Sequence, residues 1–128
     1  MSAYSNLPIY NNIFFLLKDL YERVPKFSKS YKYLLGDKML NCCLESLIFL
    51  NKISESRNKD ERIEILSNIE YKMNELLVYI RIANELNQLV KKDNYFFLSK
   101  KVVDILNQIE NWKKFLQKEK HSQSCVSV

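Results

Sequence analysis

Glycine is almost missing from this chain: Gly36 is the only one in 128 residues, and Pro8 and Pro25 are the only prolines. A sandwich or barrel turns every few residues and draws on both types to do so. The composition therefore points to an all-α fold. Histidine is as scarce, with His121 alone in the C-terminal stretch. The three cysteines, Cys42, Cys43 and Cys125, are odd in number, two are adjacent, and none forms a C-x-x-C pair. That pattern suits neither a disulfide framework nor a zinc site. No apolar run approaches the roughly 20 residues of a membrane span, since Lys18 and Asp19 interrupt the best candidate, Ile13 to Leu17. No positively charged region precedes the first apolar run, as a secretory leader would require. The expectation is a cytoplasmic protein with reduced thiols and no membrane contact.

Catalytic patterns are missing too. There is no H-E-x-x-H, no G-x-S-x-G and no glycine-rich phosphate loop,. No E-x-x-H pair offers the ligands of a di-metal bundle. Cys42 and Cys43 fall in an apolar segment and read as small buried hydrophobes. Glu70, Glu75 and Glu85 alternate with bases and read as a solvated helix face. No enzyme, cofactor or metal is expected.

What is present is apolar residues, 47% of the total, at helical spacing. The chain fits one domain over residues 1–120, with four helices over about 7–24, 31–54, 59–91 and 94–119. Asn6 is a candidate cap for the first helix, with Pro8 in its first turn. Ile9, Ile13, Leu16, Leu20 and Val24 form its stripe, and Pro25 ends it. Ser30 is a candidate cap for the second helix, whose stripe is Leu40, Cys43, Leu47 and Leu50, widened by Leu44, Ile48, Phe49 and Ile53. The third helix carries Leu66, Ile69, Met73, Leu76, Ile80 and Ala83. The fourth carries Leu98, Val102, Ile105, Ile109, Trp112 and Leu116. Residues 121–128 show no amphipathic period and are expected to be a flexible tail.

Short breaks between long amphipathic helices predict an antiparallel up-down-up-down four-helix bundle. Helices two and three carry more apolar residues than one internal seam uses. Phe49, Leu77 and Tyr79 are accordingly the expected contacts of a self-associating interface.

The net charge is +5, with an isoelectric point near 9.0. Antiparallel topology would bring the first and third connections together, collecting Lys26, Lys29, Lys32, Lys91, Lys92, Lys100 and Lys101 at one end. At the other end Asp60, Glu61 and Glu64 offset Arg57, Lys59 and Arg62. Lys113, Lys114, Lys118 and Lys120 form a second basic stretch. A basic end of this kind suits RNA or DNA, or an acidic partner. Tyr31 and Tyr95, with Tyr33 and Phe96, lie among these lysines as candidate stacking residues. The competing readings are lysines that only solvate loop ends and aromatics that pack the end of the bundle.

The segment "FSKSYKYLLGDK" (residues 27–38) resembles the F-P-[RK]-S-E-[RK]-Y-x-L-G signature of a family of bacterial four-helix-bundle proteins. Phe27, Lys29, Ser30, Lys32, Tyr33, Leu35 and Gly36 occupy matching positions. Ser28 and Tyr31 depart, standing where the family has proline and glutamate. "IRIANEL" (residues 80–86) resembles the family's L-R-L-A-x-E-L, and "ILNQIENW" resembles the segment ending in its late tryptophan, here Trp112. The glycines before that tryptophan are replaced by Leu106, Glu110 and Asn111, and its arginine by Asn107. One branch is the accessory variability determinant of diversity-generating retroelements. The other is encoded in intervening sequences of 23S ribosomal RNA genes, and its S-I-x-x-N-I-x-E-G run is missing here, where "NCCLESLIFLNKISES" stands instead. Resemblance to the first branch implies a basic homopentameric barrel. Such a barrel binds a reverse transcriptase and template RNA or cDNA, and supports mutagenic retrohoming without catalysis of its own. The alternative is a structural protein-interaction bundle of the intervening-sequence type that ignores nucleic acid.

Overall fold

The computed structural model describes residues 8–126, with side chains described through residue 118 apart from Lys92. Asn6, and the side chains of Lys92, Lys120, His121 and Cys125, lie outside the described residues. Among the described residues there are four long helices and no strand: α1 (Pro8–Arg23), α2 (Asp37–Glu55), α3 (Lys59–Glu85) and α4 (Lys92–Val126).

Between α1 and α2 the chain turns without glycine-rich sequence. Pro25 cannot donate an α-helical hydrogen bond, and α1 gives way to a 3-10 turn over Val24–Lys26. Phe27 is extended, and its N–H donates to the Val24 carbonyl at 3.0 Å. Helical geometry resumes one residue later. A one-turn helix, Lys29–Tyr31, passes into a π-helical turn, Lys32–Gly36, and then directly into α2. The cap position is Ser28, not Ser30, and it acts through its backbone: its carbonyl accepts from the N–H groups of Tyr31 and Lys32.

Asn58 starts α3, its side-chain oxygen accepting from the Asp60 N–H at 2.8 Å and the Glu61 N–H at 3.4 Å. This is the N-cap arrangement, and the two acidic residues sit where the helix dipole favours them. Arg62 closes the same connection, donating through Nε and Nη2 to the Ser56 carbonyl.

The third helix ends at Glu85, short of the expected boundary at residue 91. Asn87 is the reason. It adopts the left-handed conformation, φ 59°, the Gln88 N–H donates to the Ala83 carbonyl, and the Asn87 N–H donates to that of Asn84. This Schellman closure normally employs glycine, and asparagine is the usual substitute. At the other extreme, α4 runs on to Val126 through the stretch expected to be a flexible tail.

The helices bury one another in a ring, α1 packing against α2 and α4, and α3 against the same two. The core stripes of α1 and α3 are those read from the sequence, and so is that of α4 except for the half-buried Trp112. Helix α2 differs. Met39, Cys42, Cys43, Ser46, Leu50 and Ile53 face inward, Leu40 and Leu47 are half-buried, and Leu44 and Ile48 are exposed. A serine is tolerated on the inward face because the Ser46 hydroxyl donates to the Cys42 carbonyl at 2.7 Å. Its polarity is thereby satisfied inside the helix. Each fully buried Leu or Ile contributes about 1.5–3 kcal/mol relative to exposure, so the core is ample to hold four helices together.

Candidate nucleic-acid interface

Three contacts fix the helix registers that build the basic end. Asn12 bonds Gln108, Lys101 pairs with Asp19, and Arg23 bonds Asn94 at 3.1 Å. Residue numbers thus rise along α1 as they fall along α4. The Ser28 N–H donates to the Gln88 side-chain oxygen at 2.7 Å. That bond ties the first connection to the third. The second connection lies at the far end of α2, whose 19 residues span about 28 Å at 1.5 Å per residue.

The two joined connections enclose a groove of about 440 Å³ lined by Glu22, Arg23, Lys26, Gln88, Leu89, Val90, Lys91 and Asn94. Near the second connection a different groove, of about 550 Å³, carries Glu55, Glu61 and Glu64 against Lys52 alone. One groove is basic and the other acidic.

Six of the seven expected lysines have described side chains, Lys92 being the exception, and the six divide by partner. Lys101 is committed: its ammonium is held by Asp19 and lies 4.4 Å from the Phe97 ring centroid. Lys100 pairs with Asp104 on the exposed surface of α4. Lys26, Lys29 and Lys91 are exposed and Lys32 is half-buried beside Tyr33. Among the described residues none of these four pairs with a carboxylate.

The aromatics divide as well. Tyr31 and Tyr95 are half-buried and packed against the core, Tyr95 also lying edge-on to Phe96 at 5.5 Å. The open ring faces belong instead to Tyr33 and Phe96, 62% and 65% exposed. Helical period could have separated them, because Tyr95 falls on the buried side of α4 with Leu98 and Val102, whereas Phe96 points away.

The expected interface residues are also engaged within one chain. Phe49, Leu77 and Tyr79 are half-buried and packed against the core. The Tyr79 hydroxyl donates to Glu75 at 2.8 Å. Glu75 also pairs with Lys72, which reaches Glu45 at 2.8 Å across the α2–α3 seam. Glu75 is therefore part of an interhelical network rather than of a purely solvated face, and Glu70 pairs with Lys113 at 3.6 Å. The Tyr79 hydroxyl and the Lys72 ammonium hold the Glu75 carboxyl below its ordinary range, and the same hydrogen bond pushes Tyr79 up to about 12. Hydrogen bonding to Glu45 raises Lys72. Burial pushes Cys42 and Cys43 up to about 12 each, so these thiols stay protonated and unreactive.

The apolar surface left open lies mainly elsewhere. A groove of about 370 Å³ between α1 and α2 is lined by Leu17, Lys18, Tyr21, Glu22, Leu40 and Leu44. Exposed Phe14 and Ile48 belong to the same two helices.

Comparison with protein-family models, with curated proteins and with solved structures gives no match. Among the described residues no helix is long and apolar enough to cross a membrane.

Proposed function

We propose that this chain is a non-catalytic accessory subunit of a diversity-generating retroelement, an antiparallel bundle that binds a reverse transcriptase and its template RNA or cDNA. The reading rests on the resemblance of residues 27–38 to the family signature and is supported by one observation above all. Among the described residues, Lys26, Lys29, Lys32 and Lys91 have no carboxylate partner where the first and third connections meet. Unpaired cations release bound counterions from a polyanion at little cost to their own chain.

Self-association, by resemblance into a pentamer, would multiply that potential by placing several basic ends together. The open apolar groove of α1 and α2 is the surface best suited to it, in place of Phe49, Leu77 and Tyr79. A protein-only interaction module is the second reading, favoured by the same groove.

A salt-titrated polarisation assay with a labelled single strand separates the two readings. The parent chain should bind with affinity falling steeply as salt rises. Changing Lys29 and Lys32 to Gln should weaken binding and flatten the slope, whereas Lys52→Gln with Arg57→Gln near the second connection should matter less. Absence of binding at low salt would refute the nucleic-acid role. Light scattering reads the assembly, and Leu44→Glu with Ile48→Glu should shift it toward the 15.3 kDa monomer.

A further inference from the structure

The groove at the joined connections has a chemistry more specific than positive charge. Its two side-chain amide oxygens are already occupied, Gln88 accepting from the Ser28 N–H and Asn94 from Arg23. The Gln88 amide nitrogen is also spent, on the Leu86 carbonyl at 2.8 Å. Arg23 is held by Asn94 and by the Asp19 carbonyl, its guanidinium lies 5.4 Å from the Phe97 ring centroid, and it pairs with the Asp19 carboxylate at 3.9 Å, so its charge is largely spent within the chain. Among the described residues Lys26 and Lys91 have no carboxylate partner, and Glu22 is the one carboxylate in the lining. The groove is thus rich in donors and poor in acceptors.

Such a lining favours an anion. Its volume of about 440 Å³ far exceeds a lone phosphate and falls within the roughly 300–1,000 Å³ of small-ligand clefts. Leu89 and Val90 add apolar surface between the cations, Val90 being 75% exposed.

We infer that this groove seats one nucleotide unit of a bound single strand, with its phosphate held between Lys26 and Lys91 and its base or sugar against Val90. The inference rests on the polyanion-binding reading and makes it local. The remaining basic residues hold the strand by charge alone, and the groove fixes its register.

The test uses the full chain and short labelled strands of RNA and DNA with the same sequence. The expected result is that Lys26→Gln with Lys91→Gln weakens binding about tenfold and lowers the salt slope by about 0.7, the loss of one phosphate contact on a single strand. Lys29→Gln with Lys32→Gln should cost less. Val90→Asn should weaken binding by removing the apolar contact, and Val90→Asp should weaken it further, because it also puts a carboxylate in the groove. Bound strand should slow acetylation of Lys26 and Lys91, read by peptide mass spectrometry, relative to Lys52. Strand binding with equal losses from both lysine pairs and no protection would overturn the groove while leaving the polyanion reading intact. No strand binding by the parent would overturn both, as would capture of an acidic peptide in place of either strand. Folding of every variant is checked by circular dichroism.

Discussion

Gly36 lies so close to Val24 that a methyl group in place of its α-hydrogen would overlap the valine Cγ1. The chain's one glycine therefore marks the point where the π-helical turn leading into α2 crosses the turn leaving α1. Its φ of −59° is one any residue adopts, so the requirement is space and not backbone freedom. Gly36→Ala should destabilise the fold by about 1–3 kcal/mol through overpacking, against the roughly 1 kcal/mol that helix propensity alone would gain. Val24→Ala alone should also destabilise. Combined with Gly36→Ala it should cost less than the sum, a coupling that urea titration of the double-mutant cycle would detect. Strict additivity would show that the two side chains do not compete for space.

Topology read from the sequence puts Lys101 among the lysines of the basic end, and the structure commits it to Asp19 and the Phe97 ring. Lys101→Gln should lower stability by about 0.5–1 kcal/mol, the upper range for a partly exposed pair. Lys29→Gln should leave stability unchanged. The measurement is the urea midpoint at moderate salt. A Lys101 variant as stable as the parent would return that residue to the free set.

Alkaline pH should unfold the chain through its thiols. Burial raises Cys42 and Cys43 from 9.0 to about 12, and Tyr79 rises from 10.0 to about 12 through its bond to Glu75. The folded state holds these protons more tightly than the unfolded state. Their contribution is complete below about pH 9 and is lost as pH climbs toward about 12. Glu75 acts with the opposite sign, its lowered value contributing stability that is lost as acid protonates it. The urea midpoint should therefore decline from about pH 9 upward, and Cys43→Ala should flatten that decline. A midpoint constant to about pH 11 would contradict the assignment.

Periodicity made the inward faces of α1 and α3 legible, because on each the stripe read from the sequence is the one its neighbours cover. It read α2 only in part: Cys43, Leu50 and Ile53 are buried and Leu40 and Leu47 pack against the core, but Met39, Cys42 and Ser46 also face inward while Leu44 and Ile48 are exposed. Two apolar faces on one helix leave its rotation undecided until neighbours fill one of them. The basic end was legible as a cluster of lysines, and its groove was not. The Ser28–Gln88 and Arg23–Asn94 bonds, between residues distant in sequence, join the walls.

The sequence by itself determined that this chain is helical and where its apolar stripes recur, because helix period and the scarcity of glycine and proline are local properties. Tertiary structure decided the rest. Asn87 ended α3 early through a left-handed turn that no periodic pattern announces. Asp19 removed Lys101 from the free charge, and Gly36 acquired its meaning from Val24. Each of these depends on which groups meet in space, and side-chain pairing and steric overlap act over a few ångströms whatever the distance along the chain.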